Sequence, residues 1–254
     1  MTGKAKTGSI KPARQDDELC ELFAGRLKIF QKRHGYRFSV DSILLGTFAA
    51  QRASGTIADL GTGSGILPVI LFKRNDVEKI VGIEVQQDLA RLAQKNITYN
   101  ACDDKVTIIQ ADIRELRNTF QPGSFDMVIS NPPFYPPKTG RINPDSQKAV
   151  SRHELHGTLA DFTAVSSYLL KLSGRFVTIY PCSRIADLID EMRKVAIEAK
   201  TLQFIHPTLK DPANLILVEG IKGAGKQAKV LPPLALYDSL GNYTAQVKEL
   251  FAKV

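Results

Sequence analysis

Short apolar runs alternate with amphipathic stretches through most of this chain, and that alternation restricts the fold more than any other feature. Strand-like runs fall at 56–60, 79–84, 106–110, 125–130, 175–180, 200–206 and 213–221. Helical patterns lie between them, near 66–73, 87–99, 158–171 and 183–197, and another covers 41–51 with Ser39 or Asp41 as its N-cap. Apolar strands separated by helices imply a parallel sheet covered on both faces. Only 206–212 separates the last two strands, which leaves no room for a crossover helix, so that pair is expected to be antiparallel. The expected fold class is α/β: a doubly wound, seven-stranded, mostly parallel sheet with a C-terminal antiparallel hairpin.

The chain has 254 residues, 43% of them hydrophobic, enough for one large domain or one domain and a small appendage. The expected division is a polar basic tail over 1–17, too poor in apolar residues to fold, a cap and lid segment over 18–52, and the main domain over 53–254. No apolar run reaches membrane-spanning length, and the first residues lack the apolar core of a secretory signal. Cys20, Cys102 and Cys182 are far apart and form no CxxC pair, which suits reduced thiols and a cytoplasmic location. A monomer is the favoured oligomeric state. The net charge is +8, and residues 1–37 hold nine Lys/Arg against four Asp/Glu. Arg26, Lys28, Lys32, Arg33 and Arg37 have no acid among them. They fit contact with a nucleic acid, or equally a solvated basic surface.

Asp59-Leu-Gly61-Thr-Gly63-Ser-Gly65 follows a strand and opens a helix. Its glycines allow a tight turn and a close backbone approach to a ligand. GxGxG preceded by Asp is nearer to methyltransferase loops than to the GxGxxG of dinucleotide enzymes. Glu84 ends the next strand, where a carboxylate can accept from both hydroxyls of a ribose. Asp112 closes the third strand and could accept from an adenine amino group beside Ile113, or simply cap the helical turn that follows. No pyrophosphate clamp is evident, which favours a nucleoside-type cofactor over NAD. The near-P-loop Gly220–Gln227 lacks the hydroxyl residue that holds magnesium and reads as a solvent-facing turn.

Asn131-Pro132-Pro133-Phe134 follows the fourth strand. An exocyclic amine on a purine or an amide is a weak nucleophile, because its lone pair is delocalised. The Asn131 side-chain carbonyl and the Pro132 backbone carbonyl can accept its N–H groups and hold the nitrogen in line with an electrophilic methyl. The prolines stiffen the loop, and Phe134 offers a stacking face. Such a transfer needs no metal, and Arg152-His153-Glu154-Leu155-His156 is not the HExxH zinc motif. Arg152 could reach a substrate phosphate.

Gly35-Tyr-Arg-Phe38-Ser-Val-Asp41-Ser-Ile-Leu-Leu, DLGTGSGI, NPPF and Arg152-His153-Glu154 together resemble the TrmN-type tRNA(Val) adenine-N6 methyltransferases. So do the tails Asn214–Lys222 and Pro233–Thr244, and the resemblance runs from about residue 19 almost to the end. It implies a class I fold, S-adenosylmethionine as cofactor and tRNA as partner, with methylation of an adenine N6 in an anticodon loop. It also implies that Phe38 and Asp41 lie over the cofactor and that 131–134 hold the adenine. The motifs alone leave guanine N2 of ribosomal RNA and a protein glutamine amide open, as well as a silent nucleic-acid-binding protein on the same fold.

Overall fold

A computed structural model describes residues 17–22, 25, 27–33, 39–132 and 157–252. Strands β3 (Gly55–Leu60), β4 (Val77–Glu84), β5 (Val106–Gln110), β6 (Phe125–Ser130), β7 (Leu170–Pro181), β8 (Ile197–His206) and β9 (Leu215–Lys222) make the sheet expected from the sequence. Their spatial order is β8-β9-β7-β6-β3-β4-β5. β9 alone among these seven runs antiparallel to its neighbours, inserted between β7 and β8. Two-residue strands β10 (Lys229–Val230) and β11 (Leu234–Ala235) extend the β8 edge.

The two faces have separate cores. Alternate residues such as Ile57, Met127, Ile129, Val177 and Leu217 pack beneath α1 (Val40–Ala50), α2 (Ile66–Leu71), α3 (Gln87–Tyr99) and α6 (Ala245–Ala252). The intervening residues, among them Ala58, Leu60, Val128, Phe176 and Val218, pack beneath α4 (Leu159–Leu169) and α5 (Ile185–Lys194). This two-residue period is what a sheet buried on both sides requires. α1 is buried from Ser42 to Ala49, so it belongs to the core. Ser39 holds its N-cap position, although its side chain makes no capping bond. α6 had no counterpart in the sequence reading; its one fully buried residue, Val247, gives a weak apolar signal.

Two departures are local. Within the segment expected as a cap and lid, β1 (Asp17–Leu22) pairs antiparallel with β2 (Leu27–Lys32), separate from the main sheet. Asp17, which composition places in the basic tail, is the first residue of β1 and pairs with Lys95 at 3.0 Å. The rest of that tail, 1–16, lies outside the described residues. The near-P-loop segment is the end of β9 followed by a turn, with Gly223 and Gln227 at positive φ, and it leads into the short strand β10 and not directly into a helix.

Candidate active site

Four motifs far apart in sequence meet along one edge of the sheet. In the order β6-β3-β4-β5, these four parallel strands end at Asn131, the Gly61–Gly65 loop, Glu84 and Asp112. At ordinary strand spacing the row spans about 14 Å. Carboxyl ends of parallel strands are where open α/β sheets bind ligands. Leu60 pairs with Ser130 in the β3–β6 register, and the Ser130 hydroxyl donates to the Leu60 carbonyl at 2.9 Å. Asn131 and Gly61 are thus the next residues on adjacent strand ends.

The loop holds its shape through backbone bonds. Gly61 and Thr62 N–H both donate to the Ile83 carbonyl at 2.9 Å, and Gly65 N–H donates to the Thr62 carbonyl at 2.9 Å. Gly61, Gly63 and Gly65 all sit at positive φ. At Gly65 the need is double: φ is +80°, and a Cβ would lie 3.2 Å from the Ala93 backbone. Close packing of α3 on the loop therefore requires glycine there.

Two buried carboxylates lie beneath the loop. Glu84 accepts Gly63 N–H at 3.0 Å and Gln86 N–H at 2.9 Å, so it braces the glycine loop from the neighbouring strand. Burial raises its pKa, while those backbone donors pull it down. Each oxygen keeps lone-pair capacity for a further donor. Asp59 is fully buried, and among the described residues its one nearby donor is the Thr62 hydroxyl. Burial pushes its pKa up to about 7; the nearby Thr62 hydroxyl opposes the rise and the Glu84 charge adds to it. The Thr62 and Ser64 hydroxyls are buried too, Ser64 without a hydrogen-bond partner among the described residues. Burying polar atoms without partners is costly, and these three residues bring several such atoms together under one glycine loop.

Asp112 is engaged as the N-cap of the 3₁₀ turn Ile113–Asn118. It accepts Arg114 N–H at 2.9 Å and forms an ion pair with the Arg114 guanidinium. Ile113 is buried beside it. On the opposite flank, the Asn131 amide nitrogen donates to the Ser42 hydroxyl of α1 at 3.3 Å. Asp41 precedes Ser42 and is partly buried at the same helix end, and Pro132 is buried. Phe38, Pro133 and Phe134 lie outside the described residues, as do Arg26, Arg37 and Arg152.

The described basic residues of the hairpin have acidic neighbours. Lys28 pairs with Glu21 at 2.9 Å and Lys32 with Asp88 at 3.5 Å, while Arg33 is exposed. Sequence reasoning missed Ser42 and Asn96. Asn96 is fully buried; its amide donates to the Ser64 and Phe30 carbonyls, each at 2.8 Å, and accepts Phe30 N–H at 2.7 Å. It joins the glycine loop to β2. A polar residue on the same helix face as Leu89, Ala93 and Ile97 was the available signal.

Comparison with known proteins agrees with this geometry. Residues 39–145 match the family model described as methyltransferase small domain. The chain is 33% identical over 158 residues to a tRNA1(Val) (adenine(37)-N6)-methyltransferase of Porphyromonas gingivalis, covering 60% of this chain and 61% of that protein. It is 28% identical over 215 residues to a protein of the same description from Photobacterium profundum, covering 84% and 88%. The chain thus spans about three fifths of the first relative's length. A crystal structure described as a predicted O-methyltransferase from Agrobacterium tumefaciens superimposes with a TM-score of 0.67 at 21% identity, covering 84% of this chain and 96% of that one. That likeness shows the fold. With the relatives, the family match over residues 39–145 and the loops meeting at one sheet edge, the chain is similar to the TrmN-type small-domain methyltransferases.

Proposed function

We propose that this protein transfers a methyl group from S-adenosylmethionine to the exocyclic N6 of an adenine in tRNA, at an anticodon-loop position of the kind its relatives are named for. One observation carries the reading: the Leu60–Ser130 register sets Asn131 beside the glycine loop, so an amine acceptor and a methyl donor can share one edge. The buried atoms there suit this cofactor. Glu84 keeps acceptor capacity for ribose hydroxyls, and Asp59 offers a buried carboxylate to a cationic ligand. When bound, S-adenosylmethionine supplies an electrophilic methyl on a positively charged sulfur.

The chain's own residues do the rest. Asn131 Oδ1 and the Pro132 carbonyl accept the two N–H groups of the adenine amine. They draw the nitrogen lone pair out of the ring plane and stabilise the positive charge that develops as the new bond forms. Holding the amine in line turns a bimolecular encounter into an oriented one. Phe134 would stack the base, and Phe38 with Asp41 would cover the cofactor. An anticodon-loop base is already unpaired, so moving it into the site costs little. Lys28, Lys32, Arg33 and Arg152 would meet phosphates, in keeping with a cytoplasmic enzyme acting on tRNA.

The test is transfer of labelled methyl to total tRNA followed by nucleoside analysis. N6-methyladenosine is the expected product. Methylguanine alone, or label in protein that survives ribonuclease, would overturn the reading.

A further inference from the structure

A carboxamide has two ends that differ chemically and hardly at all in shape. Only the oxygen can accept from an amine; the nitrogen would face donors with donors. The terminal torsion of asparagine is broad and roughly two-fold, so the torsion itself does not choose between the two orientations. In this structure one contact engages the nitrogen end. Ser42 is the third residue of α1 and is 3% exposed. Its Oγ accepts from Asn131 Nδ2 at 3.3 Å across 89 residues of sequence. Asn131 Oδ1 carries no hydrogen bond among the described residues.

We infer that Ser42 is a positioning residue: by holding the amide nitrogen of Asn131 against α1, it leaves the amide oxygen free to accept the substrate amine. The inference rests on the role given to Asn131 above. It also assigns α1 a second task. The helix covers the sheet with Ile43, Leu44 and Leu45, and its first turn sets the orientation of a group on the β6 loop.

Two variants of nearly equal shape separate orientation from packing. Ser42→Thr keeps a hydroxyl acceptor, and Ser42→Val replaces it with a methyl. With tRNA and S-adenosylmethionine as substrates, Ser42→Val should lower kcat about tenfold or more relative to Ser42→Thr. Cofactor Kd and the KM for tRNA should match between the two. In an Asn131→Ala background the Thr and Val variants should be indistinguishable. Equal kcat for Ser42→Thr and Ser42→Val in the otherwise native protein overturns the inference. If Asn131→Ala itself keeps full activity, the parent reading of Asn131 fails instead.

Discussion

Asp59 and Glu219 occupy one cross-sheet row, since Asp59 pairs with Ile129, Ile129 with Val177 and Val177 with Glu219. Both point to the face covered by α1, and both are almost wholly buried. Their surroundings are opposite. Glu219 accepts from the Thr201 hydroxyl at 2.6 Å and from Arg52 at 3.2 Å, and it pairs with Arg175. Burial pushes its pKa up, yet Thr201 and the two guanidiniums outweigh that, and the net shift is downward. Asp59 has no such partners and is pushed up to about 7. Burial raises both, most strongly at Asp59, and only Glu219 has partners that outweigh it. A charge that serves the scaffold is neutralised by the chain itself. The one beneath the glycine loop has no cation beside it among the described residues.

That contrast can be broken by experiment, and the largest effect should come from the satisfied carboxylate. Glu219→Ala leaves Arg52 and Arg175 without their acid and should lower unfolding stability by about 3 kcal/mol. Cofactor affinity of the folded fraction should not change. A denaturant midpoint equal to that of the unaltered protein would show the cluster to be decorative. Asp59→Asn should do the reverse. It should weaken S-adenosylmethionine binding about 10- to 100-fold, or about 1.4 to 2.7 kcal/mol by calorimetry, without lowering the melting temperature of the ligand-free protein.

The pH dependence sharpens the comparison. Below about pH 4, Asp59 is protonated in both folded and unfolded chains and contributes nothing. As pH rises from its ordinary value of 3.8 to about 7, the unfolded chain ionises and the folded one resists, so stability falls; above that the penalty is constant. Ligand-free Asp59→Asn should therefore gain on the unaltered protein between pH 4 and 7, by at most about 4 kcal/mol. Glu219 has the opposite sign: its contribution is present above the ordinary glutamate range and disappears as pH falls through its lowered folded value. The smallest effect concerns the hairpin. Neutralising Lys28 and Lys32 should raise the KM for tRNA a few-fold and flatten its salt dependence. An unchanged salt slope would assign both lysines to their ion pairs with Glu21 and Asp88 alone.

Much of the site could be read in advance because its motifs are local. The glycines of 61–65 announce a backbone turn wherever they occur, and Glu84 and Asn131 each end an apolar run. The Asp112 cap was legible for the same reason, since its partner Arg114 is two residues away. Ser42 and Asn96 were not legible. Each is an ordinary polar residue in a helix, and even where its place on an apolar face hints at burial, as at Asn96, its partners lie 32 to 89 residues away. The hairpin at 17–32 escaped notice because it lies outside the main sheet and has much of its polar anchorage in α3 and its C-cap, through Lys95, Asn96 and Asn100.

Hydrophobic periodicity and glycine placement act over a few residues, so the order of residues by itself determined the doubly wound architecture and the kinds of groups at its carboxyl edge. Which carboxylate would find a cation, and which way the Asn131 amide would face, was decided only when strand order brought distant segments together. Arg52 reaches Glu219 across 167 residues, and nothing near either one in sequence foretells it. Electrostatic and hydrogen-bond partners are set by position in space, and that position belongs to the folded sheet.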